Sequence, residues 1–166
     1  MSWSLFKSKC NVLTGNPHVS LTQYAFTISD AYHQAVTLHF ESMTGGGRLI
    51  NNAPKFPILY QQILGQCQAN LASSSPSIQI LNQIGPFITS YWTGISIIGP
   101  LGTVLITSPG VFTAMPIVQN NNFDIMLTTM IMCFRSHIMS LLGTYTSTVI
   151  PGVVTPFSGA TLISLP

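Results

Sequence analysis

Between Lys55 and Asp124 no side chain of this sequence carries a fixed charge. Few features constrain a chain more, because interspersed charges ordinarily keep a folded domain dispersed in water. Five Lys or Arg and three Asp or Glu make up 5% of the 166 residues, where soluble domains carry roughly 25%. The mean hydropathy is +0.46. The length suits a single domain, residues 1–166, with a real core. A surface this poor in charge is expected to be covered by other protein or by lipid.

The stretch "IGPFITSYWTGISIIGPLGTVLIT", Ile84 to Thr107, poses that choice most sharply. A membrane span needs about twenty continuous apolar helical residues, with every backbone group satisfied internally. Gly85, Pro86, Gly94, Gly99, Pro100 and Gly102 interrupt this one. The apolar helix expected over 121–143 fits lipid better, yet Asp124, Arg135 and His137 break it. A charge there costs about 2.5–3.5 kcal/mol on insertion scales. Burial in a protein assembly is the favoured expectation.

Other classes are poorly served. A net charge of +2, with no stripe of Lys or Arg, argues against a nucleic-acid partner. Cys10, Cys67 and Cys133 show no CxxC spacing, so neither a zinc site nor a disulfide framework is suggested and three reduced, buried thiols are expected. "MSWSLFKSKCNV" lacks a secretory apolar core with a cleavage site, which makes secretion an unfavoured expectation.

Residues 1–19 read as an irregular arm with a turn at Asn16-Pro17. Over 20–94 three helices are expected. Ser20 and Gln23 make a capping box before the first, which the glycines at 45–47 should end. Pro57 opens the second, and Ser75-Pro76 the third, with Pro86 kinking or splitting it and Gly94 stopping it. Residues 95–120 should hold a short hairpin around "GPLG" and an extended segment turning at Pro109-Gly110. Residues 121–143 form a central apolar helix capped by Asn121 or Asn122, with Asp124 in its first turn. Residues 144–166, rich in β-branched residues, Gly and Pro, read as a C-terminal arm. The expected fold is mainly α: about four helices, a short β-hairpin and two extended arms.

No catalytic, cofactor-binding or metal-binding set stands out. His33, His39 and Glu41 share a helix, but their spacing does not bring them to one face. "TGGGRL" lacks the Lys-Ser/Thr ending of a phosphate loop and follows a helix instead of a strand. No Gly-x-Ser-x-Gly elbow occurs. Arg135, if buried, needs a partner, which Asp30 or Glu41 or a carbonyl of a neighbouring subunit could supply. Tyr91 and Trp92 suit either an interface, where such residues concentrate binding energy, or the domain's own core. Phe112 and Phe157 are further interface candidates.

The blocks "ITSYWTG", "SPGVFTAMPIV", "NNFDIM" and "GTYTSTVIPG" resemble small virion structural proteins of contractile-tailed, T4-like bacteriophages over about residues 84–160. The resemblance implies a non-enzymatic subunit of a tail, baseplate or neck, located in the virion. Its partners would be other virion proteins and copies of itself, with no cofactor and no small-molecule substrate. The alternative is a small integral membrane protein, holin-like or an assembly factor.

Overall fold

The computed structural model describes residues 2–13, 19–43, 47–72, 80–115 and 123–160. The expected turn at Asn16-Pro17, the Ser75-Pro76 and Asn121 or Asn122 caps, the glycine stop at 45–46 and the last six residues lie outside them.

The helices are α1 (Ser2–Cys10), α2 (Leu21–Met43), α3 (Lys55–Ala72), α4 (Ile80–Tyr91) and α5 (Phe123–Met139), with a single 3₁₀ turn, Asn11–Leu13, after α1. The strands are β1 (Arg48–Ile50), β2 (Ser96–Gly99), β3 (Gly102–Ser108), β4 (Leu142–Ser147) and β5 (Val154–Ser158). All five join one antiparallel sheet in the order β1-β2-β3-β4-β5. A mainly α fold with one hairpin is therefore overturned. The molecule is a helical layer on a five-stranded sheet.

Both expected arms hold regular structure among the described residues. At the N-terminus, Trp3, Phe6, Cys10 and Leu13 fall three or four residues apart. They line one face of α1 and its following turn, with Phe6, Cys10 and Leu13 buried. Two ion pairs hold this helix down: Lys7 Nζ to Asp124 and Lys9 Nζ to Asp30, each at 2.7 Å. At the C-terminus, β4 and β5 extend the sheet beyond the β2–β3 hairpin. Strand pairing satisfies backbone groups that an extended arm would leave to water.

Local chemistry sets the joints. The Ser20 hydroxyl accepts the Gln23 N–H at 3.1 Å, making the cap that opens α2. Asn51, at φ 65°, turns the chain from β1 towards α3 in the left-handed region that Asn tolerates. Gly94, at φ 75°, does the same between α4 and β2. Pro86 lies inside α4 without splitting it.

One continuous core joins the layers, built from Tyr32, Val36 and Phe40 of α2, Ile84 and Ile88 of α4, Phe134 of α5, and Leu49, Ile97, Val104, Ile106 and Phe157 of the sheet.

Candidate functional site

The pleat decides which strand residues meet the helices, because successive side chains point to opposite faces. Leu49, Ile97, Val104, Ile106 and Phe157 point inward and are buried. The register places Arg48, Ile98, Thr103, Thr146 and Val154 in one row across the outer face, and Ile50, Ser96, Leu105, Thr144 and Pro156 in the next. Leu142 stands beyond them opposite Ser158. Four apolar side chains on this face are exposed: Ile98 at 41%, Leu105 at 49%, Leu142 at 51% and Val154 at 60%. Arg48, on the short edge strand, is the one charged residue of the face. Thr103, Thr144, Thr146, Ser96 and Ser158 add neutral hydroxyls, and Ile50 and Pro156 complete the face. Aliphatic side chains left exposed on a sheet face make it a candidate interaction surface.

The edges differ from the face. β1 is three residues long and carries Arg48. On β5, the Ser147 N–H donates to Val153 O and the Gly159 N–H to Leu141 O. By ladder alternation the backbone groups of residues 154, 156 and 158 therefore face away from β4. Pro156 has no N–H to present there. Short length, charge and proline are the usual ways of blunting an edge against stray pairing.

The aromatic residues singled out from sequence lie elsewhere. Trp92 is fully buried, and its indole N–H donates to the Tyr32 hydroxyl at 2.8 Å. Tyr91 is 2% exposed. Phe157 is on the inner face. Phe112 is half-buried against Phe134 and His137, and its ring lies where a Cβ on Gly85 would stand, 2.6 Å from Cδ1. All four pack within the chain. The sequence does carry a signal for the outer face: "ISII" and "TVLIT" put an apolar residue on both faces of β2 and β3.

The buried pair expected of Arg135 is not formed. Arg135 is exposed on α5, while Asp30 takes Lys9 and accepts Gln34 Nε2 at 2.8 Å. α1, unforeseen in the sequence, supplies that cation. Glu41 is half-buried near the end of α2. Arg135 instead acts on His39, whose pKa is lowered first by burial and then by this guanidinium.

A polar cluster ties α2, α4 and the loop after β1 together. The Tyr91 hydroxyl is 2.7 Å from His33 Nδ1. Asn52 also bonds that hydroxyl and donates to Thr37 Oγ1 at 3.1 Å. The Thr37 hydroxyl donates in turn to His33 O. Burial pushes the Tyr91 phenol up and His33 down, so both are held neutral. Burial likewise pushes the Cys10 thiol up to about 12 and raises Cys67, which withholds thiolate from both. His137 is fully buried, and burial lowers its pKa to about 4 against a weaker opposing pull from the Pro109 backbone. Among the described residues no three His, Cys, Asp or Glu converge as metal ligands. A groove of about 640 Å³ between α4 and residues 110–114 is lined by Asn82, Thr89, Thr93 and Phe112 among others, with no ionisable group.

No family model, curated protein or solved structure matches the chain. Among the described residues, no helix is long and apolar enough to cross a membrane.

Proposed function

We propose that this chain is a structural subunit, without catalytic activity, whose outer sheet face packs against neighbouring subunits in a larger particle. The observation that carries the reading is the outer face itself, where Ile98, Leu105, Leu142 and Val154 stand exposed among neutral hydroxyls. Buried against another subunit, these side chains make a core-like contact of the kind found in obligate assemblies. The scarcity of charge has the same explanation, since a covered surface does not need it. The resemblance to small virion proteins of contractile-tailed bacteriophages supports a tail, baseplate or neck as the particle, with copies of the chain and other virion proteins as neighbours.

The test is Leu105→Lys, a charge placed mid-face on the central part of the sheet. Sedimentation velocity and native mass spectrometry should find the unaltered chain in a lipid-free species of fixed stoichiometry, and the variant folded but dissociated. An unaltered chain that stays monomeric and enters no particle, or a variant that assembles equally well, overturns the reading.

A further inference from the structure

A second cavity, about 260 Å³, lies between α3 and α4. Lys55, Ile58 and Gln62 line it from one face of α3, and Phe87, Ser90 and Tyr91 from α4. We propose that this cavity binds a small monocarboxylate on a short apolar stem, with Lys55 as the counter-ion. The proposal goes beyond the assembly reading and stands without it.

Three observations combine. First, Lys55 has no carboxylate within ion-pair distance among the described residues. The chain has only Asp30, Glu41 and Asp124 as acids, and Asp30 and Asp124 are taken by Lys9 and Lys7. Second, Lys55 begins α3, an 18-residue helix, so its ammonium and the positive end of the helix dipole act together. Third, the neighbouring lining is apolar. The Tyr91 hydroxyl is committed to His33 and Asn52, so the residue offers a ligand ring surface only. Ser90 spends its hydrogen on Phe87 O at 2.9 Å. Ile58 and Phe87 supply the rest of an apolar wall. The Gln62 amide stands two turns further along, about 10 Å from the Lys55 end. A carboxylate at Lys55 with its stem laid over Ile58 and Phe87 matches this arrangement. A dianion or a polyhydroxylated ligand would leave polar groups facing hydrocarbon.

Hexanoate is the probe, and hexanol its uncharged twin, each titrated into the ¹⁵N-labelled full chain. Hexanoate should shift the amides of Ile58, Gln62 and Phe87 saturably, with hexanol about tenfold weaker, since a charge-assisted hydrogen bond is lost. Lys55→Met should bring hexanoate down to the level of hexanol, while Lys55→Arg keeps the difference. Shifts that do not saturate, that centre on another part of the molecule, or that are equal for the two probes overturn the proposal. The hexanoate–hexanol comparison on the unaltered chain decides it even if Lys55→Met fails to fold.

Discussion

The two faces of the sheet both carry large aliphatic residues and meet opposite surroundings. Ile97 and Ile98 are neighbours on β2 with identical side chains, yet Ile97 is 1% exposed and Ile98 41%. Val104 and Leu105 repeat the contrast on β3, at 8% and 49%. An antiparallel sheet with one wet face ordinarily alternates apolar with polar. This one does so only in part: Thr103, Thr144 and Thr146 face outward, but so do Ile98, Leu105, Leu142 and Val154, and these positions single out the outer face. Burial by helices explains the inner set. The outer set has no such explanation among the described residues.

The largest effect should come from breaking the contrast at its sharpest point. Ile97→Ala is expected to destabilise the chain by about 2–5 kcal/mol, and Ile98→Ala by about 1 kcal/mol or less. Urea unfolding of the two variants under conditions that keep the chain monomeric measures the difference. Equal losses would mean that the outer face is covered from within the chain.

A comparable effect is expected on the helical side, where His137 is sealed in the core. Its pKa falls from 6.5 in the unfolded chain to about 4 in the folded one. Between those values the unfolded state binds more protons, so stability is complete above pH 6.5 and is lost as pH drops towards 4. The loss attributable to this one group is about 3 kcal/mol. Burial lowers His33 and His39 in the same direction, so wild-type stability has more than one source of acid sensitivity. The difference between wild type and His137→Phe, followed by denaturant midpoint across that range, isolates the single residue. A parallel pair of pH profiles would show that His137 reaches solvent.

The smallest effect on stability belongs to the sheet edge. Pro156→Val restores an outward N–H on β5 and should change monomer stability by about 1 kcal/mol or less. If assembly runs through the outer face, particle stoichiometry stays as it was, and any new association is an added, concentration-dependent pairing of edges. A changed stoichiometry would shift the contact from the face to the edge.

Much of the helical layer was legible beforehand. The Ser20 cap, the spacing of Ala25, Ile28, Tyr32 and Ala35, and the proline near the start of α3 are local signals, and the helices formed where those signals stood. The β2–β3 hairpin was legible too, because "GPLG" joins partners adjacent in sequence. α1 was missed although Trp3, Phe6 and Cys10 carry a helical spacing. Its serines, aromatics and cysteine are middling helix formers, and its ion-pair partners Asp30 and Asp124 are remote in sequence. The candidate surface was legible only as composition. Tyr91, Trp92, Phe112 and Phe157 have the chemistry of interface anchors, but large aromatics serve a core equally well.

What the sequence determined by itself is the local and the average: where helices begin, which segments favour extended backbone, and how few charges the chain carries. The tertiary structure decided the rest. β1 joins β2 across α3 and α4, and β4 joins β3 across α5. Such pairings depend on contacts far apart in the chain, which no local window contains. Register then assigned Ile97 to the core and Ile98 to the outside, since a shift of one residue in the pairing would have exchanged them.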